Sequence, residues 1–245
     1  MLTHRRPIPA GHTRFVFLVW VSIGLLLAAG CAPRPAELPP RPAGPEQPGI
    51  AIPAGATVFN VDAARSVVTI RVYRAGPMAK LGHNHVITSG DEQGVVWQGL
   101  EPAGSGFELR IPVQALVVDD SAARAGAGPD FAGEVPESAR KGTYQNLLRP
   151  EVLDAAQYPE IVVRSNGLGG TWQKPVAHAE AILRGQARTI DVPLELDRSG
   201  TRLTVRGAFR IRQTEFGMTP FSVAGGAIQV GDEVDLSFEI VATAR

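Results

Sequence analysis

Residues 107–113 read Phe107-Glu108-Leu109-Arg110-Ile111-Pro112-Val113, apolar and polar by turns until the proline. Side chains of an extended chain point alternately to opposite faces, so this spacing gives a strand with one apolar and one wet face. The same period recurs downstream. Between Thr201 and Arg212, Leu203, Val205, Ala208 and Ile211 interleave with Arg202, Thr204, Arg206 and Arg210, with a break expected near Gly207. Asp235–Val241 alternates likewise, and Ser66–Arg74 is β-branched and partly alternating. Turn signals stand at Gly99, Gly104-Ser105-Gly106, Gly169-Gly170, Asp197–Gly200, Gly225-Gly226 and Gly231-Asp232. One segment departs from period 2. Glu137–Leu148 is charged, ends in two leucines and is followed by Pro150, which predicts a short helix over the sheet. About eight strands and one helix are expected. The fold class is all-β; one architecture that fits is an eight-stranded antiparallel barrel with one short helix, whose closure removes sheet edges and leaves room for one ligand. A β-sandwich is the other architecture that period 2 allows.

Composition limits the function. The chain has 245 residues, 24 Lys+Arg against 24 Asp+Glu, and one Cys. A balanced charge lacks the dense basic face of a nucleic-acid binder, so no nucleic-acid partner is expected. A single Cys excludes an internal disulfide framework and a Cys-rich zinc or iron–sulfur site.

The N-terminus reads as an address. Arg5, Arg6 and Arg14 precede an uncharged apolar run from Phe15 to Ala29, about 15 residues long. That suits a secretory signal; a membrane span needs roughly 20. The run ends Leu27-Ala28-Ala29-Gly30-Cys31, which resembles the lipobox of bacterial lipoproteins. The resemblance implies cleavage before Cys31 and acylation of that residue. Removing three arginines and no acids leaves 21 basic against 24 acidic side chains, a balance of −3. Ala32 follows the cysteine; retention in the inner membrane often goes with Asp there, so the outer membrane is favoured. From Cys31 to residue 55 prolines dominate, giving a tether of extended polyproline character. At about 3.1 Å per residue, some 20 residues reach up to roughly 60 Å. The expected domains are thus a signal over 1–30, a tether over 31–55 and a β-barrel over 56–245.

Several motifs in the barrel region resemble the YceI-like, or polyisoprenoid-binding, family. They are Asp154-Ala155-Ala156-Gln157-Tyr158-Pro159-Glu160-Ile161 running on to Arg164-Ser165, Ala181–Gly185, Thr189–Leu194 and Val230-Gly231-Asp232-Glu233-Val234-Asp235-Leu236. The opening Asn60–Val68 is similar to the family's first hairpin. The resemblance implies a lipocalin-like barrel whose apolar interior takes an isoprenoid lipid or a prenylated quinone. The lipobox implies a bacterial envelope location, facing the periplasm, and the family resemblance implies for some members a b-type membrane cytochrome as partner. This chain departs from better-known members in Met78–Ile87, where it carries His83 and His85 and looks like a His-containing branch.

His83 and His85 stand at i and i+2, which on a strand puts both rings on one face. Three readings stay open. The pair hydrogen-bonds a ligand head group at the barrel mouth, since imidazole both donates and accepts. Or it supplies two ligands of a metal, with His178, Asp91 or Glu92 completing the set; a stable zinc site needs three or four. Or it only caps backbone. Tyr144 and Leu147 on the helix, with Phe216, Met218 and Phe221 in a turn, are candidate ligand-lining residues at the same opening. No G-x-S-x-G, H-E-x-x-H, phosphate-binding loop or dinucleotide fingerprint occurs, so a binding protein is expected rather than an enzyme. The alternatives are a metal- or haem-linked redox accessory protein using the His pair, and a structural barrel filled by its own side chains. No cofactor is required by either the composition or the motifs.

Overall fold

A computed structural model describes residues 51–165 and 167–245. The signal segment, Cys31 and all but the last residues of the tether lie outside them. Among the described residues no helix is long and apolar enough to cross a membrane.

Eight strand paths make the wall. β1 runs in two legs, Thr57–Val61 and Val67–Ala75, as do β2 (His85–Thr88, Gln93–Gln98) and β3 (Gly106–Pro112, Val117–Val118). β4 also runs in two legs, Glu160–Ser165 and Leu168–Thr171, both paired with β5 (Lys174–Leu183); β5, β6 (Gln186–Ser199), β7 (Arg202–Arg212) and β8 (Ile228–Ala244) follow without such breaks. Each path pairs antiparallel with the next, as in Phe59↔Val96, Val96↔Phe107, Leu109↔Val163, Val163↔Ala181, Ala179↔Ile190, Leu196↔Val205 and Phe209↔Leu236. β8 then returns to β1 through Asn60↔Thr243 and Val68↔Phe238. The ring is closed, which decides for a barrel against a sandwich.

The alternation seen in sequence sets the two faces. Leu109 and Ile111 point inward, while Glu108 and Arg110 face out and pair at 2.8 Å. Burying each large aliphatic side chain stabilises the fold by about 1.5–3 kcal/mol. The wet face is stitched by ion pairs such as Arg206–Glu239 at 2.6 Å and Arg210–Asp235 at 2.5 Å. Tyr73 also donates its hydroxyl to Asp235 at 2.8 Å.

β1, β2 and β3 are neighbours, and their breaks lie side by side. Polar side chains repair the interrupted ladders, as buried backbone groups require. Ser66 Oγ donates to Asp62 O at 2.8 Å and accepts from Val241 N at 3.1 Å. Ser89 Oγ accepts from Val68 N at 2.7 Å and donates to the buried carboxylate of Glu92. In β3 a tight helical turn, Val113–Ala115, bridges the gap, with Val113 N bound to Pro159 O at 2.9 Å.

Three expected interruptions are absent. Gly169-Gly170 lies within the second leg of β4, paired with Val176 and Pro175. β7 runs straight through Gly207, where a Cβ would stand 2.6 Å from the Phe238 ring; the missing side chain admits an aromatic and does not break the strand. Gly231-Asp232 is a bulge within β8, not a turn. Asp232 Oδ1 and Oδ2 accept from Thr214 N and Oγ1 at 2.9 and 2.7 Å, which fixes the turn after β7.

Two helices close one end. α2 (Glu137–Leu147) matches the expected segment to within a residue. α1 (Ser121–Gly126) was not foreseen; Asp120 caps it by accepting from Ala122 N and Ala123 N at 3.0 and 3.1 Å.

Candidate functional site: the barrel lumen

The barrel is hollow. Its interior holds a cavity of about 200 Å³. The reason is legible on β5, whose inward positions Ala177, Ala179 and Ala181 are buried methyl groups, the first two packed with Val192 and Leu194. Small residues on one wall leave space that larger ones would fill. The rest of the wall is almost wholly apolar. The polar residues along it are Gln98, Ser105, Glu108 and Gln213. All four have partners: Ser105 Oγ with Gly99 N and Glu101 O, Glu108 with Arg110 on the outer face, Gln213 Nε2 with Gly231 O at 2.7 Å, and Gln98 Oε1 with Arg198.

At the helix-capped end Leu147, Phe216 and Met218 reach the lumen wall, together with Leu116, Val152 and Leu153. Tyr144 packs on the core beside them, off the wall, and donates its hydroxyl to Gln114 O at 2.9 Å. Phe221 is half-buried and also off the wall.

The histidines stand at this same end. The strand begins at His85, so His83 lies in the preceding turn, exposed, and the i, i+2 argument does not extend to it. Their ring centroids are 6.2 Å apart. His85 is paired with Val72, a residue of the lumen wall, yet its ring is held elsewhere. Nδ1 donates to Asp119 Oδ2 at 2.6 Å, and Thr143 Oγ1 of α2 lies 3.3 Å from Nε2. Asp119 is buried, with a left-handed φ of 54°. Its Oδ1 accepts from Val86 N at 2.9 Å and from Arg124 Nη1 at 2.6 Å. Arg124 also donates to Asn84 O and Phe131 O, at 2.9 and 2.6 Å. Burial pushes the Asp119 pKa up. The hydrogen bonds from His85, the Val86 amide and Arg124 outweigh that and hold the carboxyl below its ordinary value. The network ties β2, α1, α2 and the loop between the helices together.

Among the described residues the opposite end has no α-helix, only the single 3-10 turn Pro102–Gly104. The β2–β3, β4–β5 and β6–β7 turns gather there, and Thr57 enters beside Gln98. Phe59, fully buried, lies beneath the guanidinium of Arg198, whose Cζ is 5.5 Å from the ring centroid. Arg198 Nη1 donates to Gln98 Oε1 at 2.8 Å. Trp172 lines the lumen beside them and donates Nε1–H to the carbonyl of Leu100, a residue 94% exposed.

The family model for the YceI-like domain matches residues 59–242. The chain belongs to the YceI-like family. Among solved structures, the YceI-like fold of this chain is similar to BcnA of Burkholderia cenocepacia, at 20% identity and a TM-score of 0.49, over 75% of this chain and 99% of that one. It is also similar to a Campylobacter jejuni YCEI protein, at 10% identity and a TM-score of 0.45, over 65% and 84%. No curated protein matches the sequence.

Within this YceI-like domain, and among the described residues, no three or more His, Cys, Asp or Glu side chains converge to hold a metal. His178 is on the outer face, its Nδ1 2.6 Å from Asp191 Oδ1, and Glu92 is bound to Ser89. Asp119 and Arg124, which fix His85, were missed by sequence reasoning because their partners lie far along the chain. Arg198 carried a readable signal: it shares the parity of Leu194 and Leu196, so a cation falls on the apolar face of β6.

Proposed function

We propose that this protein binds an amphiphile with a long isoprenoid tail, a polyisoprenoid or a prenylated quinone, with the tail inside the lumen. One observation carries the reading: the interior is hollow and apolar along its length. Each buried CH₂ contributes about 0.8 kcal/mol, so a long tail supplies affinity without any directional contact. Apolar burial is non-directional, and tail selectivity is accordingly loose. Leu147, Phe216 and Met218 line the lumen at its helix-capped end. The activity is binding and carriage, not catalysis. Cys31 is the acylated anchor, residues 31–55 are the spacer, and the barrel faces the periplasm from a bacterial envelope membrane, the outer one favoured. Two or more acyl chains are needed for stable anchoring, and lipoprotein processing supplies them.

The test is native mass spectrometry of the full chain, expressed in a bacterial host and purified in mild detergent. Extra mass that leaves on denaturation and matches a prenyl lipid in the solvent extract is the expected result. Ala179→Phe, which fills the lumen from β5, loses that mass. A bare polypeptide, with wild type and variant alike failing to take up added geranylgeraniol, overturns the reading. Anchoring is read separately: the denatured mass carries acyl chains in the wild type and none in Cys31→Ser.

A further inference from the structure

The mouth away from the helices carries a polar device that the apolar lumen does not explain. Arg198 is on β6 and Gln98 on β2, four strands apart in either direction around the ring of eight. Their 2.8 Å hydrogen bond therefore spans the opening, over the buried ring of Phe59. Both side chains have inward parity: Arg198 lies opposite Leu203, a wall residue, and Gln98 follows Val96 by two. Among the described residues no carboxylate pairs with Arg198, whereas Arg110, Arg164, Arg206 and Arg210 on the outer face all have acidic partners. Its Nε and Nη2 have no hydrogen-bond partner there either. A neutral amide satisfies one corner of a planar fork that fits an oxyanion with two parallel charge-assisted bonds. Glu108 is the charged residue that borders the lumen, and its carboxylate is turned to the outer face, where it belongs to Arg110.

We propose that Arg198 and Gln98 form the head-group site, holding a phosphate-type oxyanion at the helix-free mouth while the apolar tail runs into the lumen. The inference rests on the lumen being the tail site. On binding, the guanidinium exchanges Gln98 Oε1 for two oxygens of the head, and the freed Gln98 amide donates to a third. The cation–π contact with Phe59 holds Arg198 above the tail's entry point in both states. A neutral head forfeits the charge-assisted pair and retains only burial of the tail.

The experiment compares two probes with one tail, geranylgeranyl phosphate and geranylgeraniol, titrated against the full chain stripped of co-purified lipid. Wild type is expected to bind the phosphate about tenfold more tightly or better. Arg198→Gln brings both probes to the alcohol's affinity with an unchanged melting curve, and Arg198→Lys keeps part of the preference. Equal binding of both probes by wild type overturns the head-group site and leaves the lumen reading standing. So does a preference that survives in Arg198→Gln, or one that disappears in His83→Ala and returns the head group to the helix-capped end. Failure of both probes to bind wild type removes the tail site and this inference with it.

Discussion

The two ends of the barrel use polar residues in opposite ways. At the helix-capped end His85, Asp119 and Arg124 bind one another and four neighbouring backbone groups, Val86 N and the carbonyls of Asn84, Phe131 and Gly133. At the other end Arg198 makes one neutral hydrogen bond across an opening. A buried network in which every member is matched is architecture. A cation with open donors beside an apolar channel is suited to recognition. The difference assigns stability to one end and selectivity to the other, and it can be broken by substitution.

The largest effect is expected from Asp119→Ala. It leaves Arg124 and the Val86 amide without their partner in a nearly dry site, which costs about 3–5 kcal/mol. At roughly 2–4 °C per kcal/mol for a domain of this size, calorimetry should show a fall of about 10 °C. A fall under about 2 °C on that scale means the network is ornament and the contrast between the ends is false.

Acid comes next. Asp119 and Asp235 both have pKa values held below the ordinary carboxylate value, in Asp235 by the hydrogen bond from Arg210 first. A lowered folded pKa contributes stability that is fully present above the unfolded value of about 3.9 and is lost as pH falls through the folded one. Melting temperature should therefore hold from neutral pH down to about 4 and drop below it. Each unit of difference is about 1.4 kcal/mol, and the Asp119→Ala chain should show a shallower drop. Parallel drops in the two proteins show that Asp119 is not the titrating group.

The helix-free end should respond weakly. Arg198→Gln removes an exposed hydrogen bond and a cation–π contact, so denaturant melts should shift by no more than about 1 kcal/mol. A loss as large as that of Asp119→Ala makes Arg198 a structural strap. Smallest of all is Leu100→Ser, expected within about 0.5 kcal/mol because the side chain is already in water. A larger change means the rim around Trp172 holds the barrel shut.

Legibility followed range. The strand alternation of residues 107–113 and 201–212 is a local consequence of extended backbone, and it predicted the two faces except at Ala208, which the expected break put on the apolar face and which is exposed, Phe209 taking the inward place. The helix at 137–147 was equally local, marked by a charged run and Pro150. Gly207 misled because a glycine in a strand signals a break as readily as room for a ring 31 residues away, here Phe238. His85 misled in a related way. Its type and spacing were visible, but the carboxylate that occupies it lies 34 residues on, behind a fold the spacing could not supply. The three aligned breaks were equally hidden, since each depends on a hydroxyl or a turn meeting a neighbouring strand. The hollow could have been suspected from alternate alanines on β5; nothing local says that they face a void and not a packed neighbour.

The order of strands around the ring has a kinetic consequence. Seven of the eight neighbour contacts join segments consecutive in the chain, and six of those need only a short turn or loop. The eighth, Asn60 against Thr243, closes a loop of 183 residues. On a logarithmic scale that closure costs about 3 kcal/mol more chain entropy than a four-residue turn. Folding thus resembles a zipper with one long-range clasp. A circular permutant that links the neighbouring strand ends near Phe59 and Ala244 and opens the β6–β7 turn moves the clasp to another seam without altering the wall.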